Sequence, residues 1–222
     1  MKRVLFILIG LASLYSAGSN ASIMTYSDRT AFVLASGATG IGAIPDTVPG
    51  AGFSLGGLNF IQEPGSSFNS SRNWSTLISE AFDLAINDVE NFNIDSVAPL
   101  YSFGFDFHEP TTPSPTSPDT CNAPCFDSDF SVTLKNGAVL VDSFMFNAPD
   151  DVLAFVGVTS TSPFDRIEIR DVTNTIDNEF FGNFLTGTSR VPEPGTLALI
   201  GLGLLGLSLR RPGNKKGATL SA

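Results

Sequence analysis

The stretch "PLYSFGFDFHEP" limits what this 222-residue chain can fold into more than any other. Tyr101, Phe103, Phe105 and Phe107 alternate with Ser102, Gly104, Asp106 and His108. A period of two puts the rings on one face of an extended strand and the small or polar groups on the other. A helix with the same order would scatter the rings around its circumference. The alternation returns through Phe130, Val132 and Leu134 in "DFSVTLKNGAVLVDSFMF", where Asn136-Gly137 predicts a hairpin turn. It returns again through Ile167 and Ile169 in "FDRIEIRDV". "VLAFVGVTS" reads as a strand buried on both faces, and "FSLGGLNFI", "AFDLAI" and "NEFFGNF" read as further strands. One helix is signalled, near Asp28 to Ala35. Its features are Ser27 as N-cap, Asp28 in the first turn, Ala31, Phe32 and Ala35 on one face, and Gly37 as the stop. Eight or so short strands and one short helix predict an all-β fold, a single antiparallel jelly-roll-like β-sandwich. "HEPTTPSPTSPDTCNAPCFDS" carries too much proline for a central strand and is expected to be a long exposed loop.

The two ends do not belong to that sandwich. The chain starts with Lys2 and Arg3, an apolar run from Val4 to Leu14, and then small residues ending in Ser19-Asn20-Ala21. This order predicts a signal peptide over 1–21, cut by signal peptidase between Ala21 and Ser22. The run is too short for a first membrane span, which requires about 20 residues. At the other end, Thr196 to Leu209 is apolar or small all round and is followed at once by Arg210 and Arg211. An apolar run followed by basic residues is the pattern of a stop-transfer segment with its basic end in the cytoplasm. As a helix the run reaches roughly 21 Å, against a hydrocarbon core of about 30 Å, so it is marginal as a permanent anchor. Gly201, Gly203 and Gly206 would give it a smooth ridge for packing on another helix. Three segments are therefore expected: signal peptide 1–21, sandwich 22–190 and tail 191–222.

Charge removes one class of partner. The whole chain carries −10; Lys2 and Arg3 hold +2 of this and the segment from Pro192 holds +3, which leaves −15 on the sandwich. Such a surface repels nucleic acid and anionic lipid, so no nucleic-acid partner is expected. Disorder is also excluded, because 18 of the 19 Phe lie between Phe32 and Phe184, and disordered chains are poor in aromatic residues.

Chemistry-bearing residues are sparse. Cys121 and Cys125 are expected to form a disulfide in an exported chain. The loop they close is so short that the bond contributes only about 2 kcal/mol. Zinc needs four ligands, and two Cys with a single His do not supply them. Calcium could use Asp127 and Asp129 of "FDSDF" with Asp119, but alternating Asp residues also form the wet side of a strand, and no metal or other cofactor is assigned. Nucleophilic catalysis most often relies on a His base. The one His, His108, falls on the outward strand face beside Glu109 and is expected to be solvated. No catalytic residue is assigned.

The tail "VPEPGTLALIGLGLLGLSLRR" resembles the PEP-CTERM sorting signal of exopolysaccharide-producing Gram-negative bacteria. Val191, Pro192, Glu193 and Pro194 match its motif, the Gly/Leu-rich run its short span, and Arg210 and Arg211 its basic stop. The resemblance implies a membrane-embedded cysteine transpeptidase, an exosortase, which recognises the tail, cuts near the motif and passes the protein to the cell surface or beyond. This chain would be its substrate. A plain single-pass anchor is the alternative, and it leaves Pro-Glu-Pro unexplained. "DRTAFVLAS" and "VLAFVGVTSTSPFDRIEIRDVTNTIDNEFFGNF" resemble the sandwich that often precedes this signal.

Two activities stay open for the mature domain. One is a non-enzymatic surface or matrix protein associated with exopolysaccharide, for which Trp74, Tyr26 and Tyr101 are candidate platforms; Trp74 has the most polar setting but could equally belong to the core. The other is a secreted hydrolase of glycans or peptides, which a buried carboxylate pair in a cleft would favour.

Overall fold

The computed structural model describes residues 21–46, 52–69, 75, 77–78, 82–88, 90–110, 127–173 and 177–190. Among the described residues, eleven strands and one helix follow in chain order: β1 (Ile23–Tyr26), α1 (Arg29–Ser36), β2 (Thr39–Gly40), β3 (Phe53–Leu55), β4 (Leu58–Gln62), β5 (Ser66–Asn69), β6 (Leu84–Asp88), β7 (Phe92–His108), β8 (Phe130–Asn136), β9 (Val139–Phe146), β10 (Ala154–Asp171) and β11 (Asp177–Gly187). All pairings are antiparallel.

Two long strands organise the fold. The second half of β7 pairs with β11 and with the first half of β10, which also carries β1. The first half of β7 pairs with β4 and with the second half of β10, which also carries β8. Each long strand thus passes from one layer to the other. The crossings fall at exposed Val97-Ala98-Pro99 in β7 and at a register shift between Thr159 and Phe164 in β10, which contains Pro163. Proline cannot donate to a ladder, so a corner between sheets is where it costs least. One layer then runs β1, β10, β7, β11, β6, β5, with β2 on the far end of β11. The other runs β3, β4, β7, β10, β8, β9. This is the expected antiparallel, jelly-roll-like sandwich with one short helix.

The rings that alternate in the sequence meet between the layers. Phe107 packs edge-on to Phe130 at 5.4 Å, Phe60 on Phe184 at 5.0 Å, and Phe92 on Phe181 at 5.1 Å. Twelve phenylalanines are among the fully buried side chains. Each contributes about 1.5–3 kcal/mol by leaving water, with up to about 1 kcal/mol more for a well-placed ring pair.

Local details differ from the sequence reading. The helix is capped by Asp28, not Ser27: Asp28 is extended (φ −117°, ψ 119°) and its Oδ1 accepts the Ala31 amide at 2.7 Å. The buried helix positions are Phe32 and Ser36, whereas Ala31 and Ala35 are exposed, because the face is set by Phe32 entering a socket on the sheet. That socket exists because Gly157 has no side chain, as a Cβ there would lie 2.9 Å from the Phe32 ring and 2.8 Å from Phe155. The β8–β9 loop is Gly137-Ala138, one residue beyond the expected Asn136-Gly137, and only Gly137 has positive φ (57°). A positive φ at the first loop residue alone is the two-residue II′ arrangement, in which Asn136 ends the strand.

Candidate functional site

The outer face of the first layer is covered, which period-two reasoning alone does not foresee. Ser102 to His108 are buried on both faces. His108, expected in solvent, is 2% exposed, stacked on Phe180 at 5.8 Å and hydrogen-bonded through Nδ1 to Ser75 Oγ at 2.8 Å. The correction has a physical cause: Ser75 and Ile78 cover this face, Ser75 on His108 and Ile78 in a small cluster with Ala85 and Phe180. Ser75 and His108, with an Asp83 carboxylate on the Ser75 amide, bring together a hydroxyl, an imidazole and an acid. Asp83 however holds the Ser75 backbone, and Ser75 Oγ accepts the Leu77 and Ile78 amides at 3.2 and 3.3 Å. Ser75 and Asp83 have no exposure. The geometry is that of a pinned turn.

Further along the same face, Asp106 is at the centre of a polar cluster. Across β7–β11, Gly182 faces Asp106 and Leu185 faces Gly104, so β11 carries one residue more than its partner there. The extra residue is Asn183, held at φ 47°. The bulge switches the alternation, sending Phe184 into the main core and Leu185 outward to Phe32. Asn183 Nδ2 donates to Asp106 Oδ2 at 2.8 Å, and Arg29 of α1 reaches Asp106 Oδ1 at 2.5 Å. The Arg29 guanidinium also lies 5.0 Å over the Phe155 ring and donates to the Asn183 carbonyl at 3.5 Å. Arg29, Asn183 and Phe184, with Gly40 and Gly42, line an open cleft of about 340 Å³.

Phe155 also borders a second hollow. It is lined by β1, the end of β9 and the start of β10, with a volume of about 260 Å³. Tyr26, Phe144, Phe146 and Asn147 are among the residues that line it. Of the three candidate platforms, Tyr26 is therefore in a groove, edge-on to Phe32 at 5.6 Å. Tyr101 is half-buried on β7, and Trp74 falls outside the described residues.

Carboxylates gather at one end. Glu109, Asp127 and Asp150 each bring an oxygen within 4.8 Å of the others. Glu109 Oε1 accepts the Ser128 amide at 2.5 Å, and Asn147 Nδ2 donates to Asp127 and Asp129 at 2.8 and 3.2 Å. Burial, then the charges of Asp127 and Asp151, raise the Asp150 carboxyl above its ordinary range. The sequence reading found Asp127 and Asp129 but missed Glu109 and Asp150, which only folding brings there; Asp119 lies outside the described residues. Glu179 is fully buried on the inward face, with neither carboxyl oxygen hydrogen-bonded, and burial pushes it up to about 8. Its backbone amide donates to Glu90 Oε1 at 2.9 Å.

Of the sites read from sequence, Ala21 and Ser22 are described: Ala21 is half-buried, and the Ser22 amide donates to Thr161 Oγ1 while its carbonyl accepts the Thr161 amide, both at 3.1 Å. Cys121, Cys125, Val191 to Pro194, Arg210 and Arg211 lie outside the described residues. Among the described residues no helix is long and apolar enough to cross a membrane.

Comparison with known proteins adds three findings. Variants of the family 29 carbohydrate-binding module CBM29-2 resemble the chain in structure. One has 14% identity and a TM-score of 0.43 over 68% of this chain and 92% of that one. Another, complexed with mannohexaose, has 13% identity and a TM-score of 0.39 over 78% and 99%. At those values the sandwich rests on its own strand pairing, not on the likeness. No curated protein matches the chain in sequence. Residues 190–211 match the PEP-CTERM protein-sorting motif. That match begins three residues after β11 ends at Gly187, so the β-sandwich is followed directly by a PEP-CTERM sorting signal, which supports reading the chain as an exosortase substrate.

Proposed function

We propose that the chain pauses in the inner membrane through 196–209, is cut by an exosortase near Pro192-Glu193-Pro194, and is then displayed at the surface or released as a non-catalytic, polysaccharide-associated sandwich. The observation that carries this reading is the sorting motif over 190–211. Pro192 and Pro194 disfavour helix within the motif, as a site open to cleavage requires. The basic pair Arg210 and Arg211 fixes which end stays inside. The non-catalytic part is supported by His108, which is buried against Phe180 where no substrate can meet it. Glu90 and Glu179, the buried carboxylates that a glycosidase reading would call on, have no exposure and line neither hollow. Polysaccharide association is supported by the hollow of about 260 Å³ that Tyr26 and Asn147 help to line, which brings an aromatic and a polar residue to one concave surface.

The test is the mass of the mature C-terminus in cells that express an exosortase. Loss of residues 196–222 is expected for the wild type, and Glu193→Ala should leave intact precursor in the membrane fraction. A wild-type protein that keeps the whole tail would reduce it to a plain anchor.

A further inference from the structure

The cleft beside the β11 bulge brings together a positive-φ Asn, a paired Arg and two glycines. Asn183 holds a left-handed backbone conformation that L-residues adopt at a cost, and such outliers persist where the surroundings enforce them. Here Asp106 enforces it: its two oxygens are divided between Asn183 Nδ2 and Arg29. The Arg29 side chain is flattened on Phe155 yet 37% exposed, so the cluster presents fixed donors to the cleft, not mobile ones. Opposite, Gly40 has an ordinary φ, and a Cβ added to it would meet nothing within 4 Å. Glycine is not needed there for backbone reasons, and the space above it is open cleft.

We propose that this cleft is a subsite for one neutral sugar ring, held through a pair of adjacent hydroxyls by Arg29 and Asn183 while the ring lies against the side-chain-free backbone at Gly40 and Gly42. The proposal rests on the polysaccharide reading above and adds a second place, distinct from the hollow at Tyr26, with a ligand class. Planar side chains with fixed donors and acceptors match two neighbouring hydroxyls, which each donate and accept. A volume of about 340 Å³ is at the small end for ligand sites, which fits one ring and not a buried oligomer. Charge selects a neutral sugar. The Arg29 cation is already matched by Asp106 at 2.5 Å, and the sandwich as a whole carries −15, so a uronate or sulfate would meet net repulsion. The site lacks a mobile acid or base and is organised before the ligand arrives, as a binding subsite should be.

The experiment compares the exported wild-type protein with Gly40→Leu, which fills the cleft, and Asn183→Gly, which keeps the left-handed backbone but removes the amide. Native gels are cast with neutral galactomannan, with a neutral β-glucan, or with polyanionic alginate. The wild type should be retarded by a neutral polymer, and each variant should bind it at least 10-fold more weakly with its cooperative melt retained. In parallel, amide spectra of the wild type titrated with a methyl hexoside should shift at Gly40, Gly42 and Asn183; shifts confined to other residues overturn the subsite, whatever the fate of the variants. Equal retardation of wild type and folded variants overturns the subsite and leaves the polysaccharide reading standing. Retardation by alginate alone does the same. No retardation in any gel overturns both.

Discussion

Glu179 makes the stability of this protein depend on pH in an unusual direction. Its side chain is completely buried on the inward face of β11, and neither oxygen has a hydrogen-bond partner. Burial holds its carboxyl proton up to a pH of about 8, against an ordinary 4.5. Below pH 4.5 both folded and unfolded chains carry the proton, and the contribution of the neutral group is fully present. Between 4.5 and 8 the unfolded chain ionises while the folded one keeps its proton, so stability falls as pH rises. The limiting slope is about 1.4 kcal/mol per pH unit, and across the whole window the loss reaches up to about 5 kcal/mol. That is a large share of the 5–15 kcal/mol typical of a domain. Glu179→Gln is nearly isosteric and neutral at every pH, so it should remove the dependence. Urea titrations from pH 4.5 to 8 measure it. At pH 4.5 the variant should lie within about 1 kcal/mol of the wild type, the difference between one buried polar group and another. By pH 8 it should be several kcal/mol more stable. Two curves that stay parallel across the window would refute the argument, because they would mean that the folded protein houses an ionised Glu179.

Three other outcomes follow from specific contacts. Gly157→Ala would press a methyl group into Phe32 and Phe155 and should cost about 1–3 kcal/mol, seen as a lowered urea midpoint with an unchanged slope. Asp28→Ala leaves the Ala31 amide without its carboxylate and should cost about 1 kcal/mol by the same measurement. Protein collected outside the cytoplasm should have neither Cys121 nor Cys125 free to alkylate, and replacing both by Ser should lower stability by no more than about 2 kcal/mol.

The inward half of the fold was legible because it depends on local order. Phe103, Phe105 and Phe107 alternate, and so do Phe130, Val132 and Leu134, and each set is buried on one face. What the residues could not announce is how far a strand runs. "VLAFVGVTS" and "FDRIEIRDV" read as two strands separated by a proline turn, yet β10 continues through Pro163 from Ala154 to Asp171. A proline at a corner between layers loses no ladder bond, so its usual meaning as a terminator lapses. The short strands β1 and β5 carry too few residues to show a period, and their pairing comes entirely from neighbours far away in the chain, Gly157–Ser160 and Ala85–Asp88.

The outward face failed for a related reason. Alternation shows that His108 and Asp106 point away from Phe107, but not what lies beyond them. A helix capped at Asp28 and a segment around Ser75–Ile78 both settle there, and neither is near β7 in sequence. One local cue did exist. "NEFFGNFL" places Phe180, Phe181 and Phe184 so that no strict period of two can bury both Phe181 and Phe184 inward. A strand that must satisfy both needs one extra residue between them. Asn, with its tolerance for positive φ, is the side chain in "FFGNF" best able to supply it after glycine. Gly182 has a separate role, since a Cβ there would lie 2.6 Å from the Ile78 side chain. The bulge therefore falls on Asn183, and with it the amide that Asp106 and Arg29 hold in place.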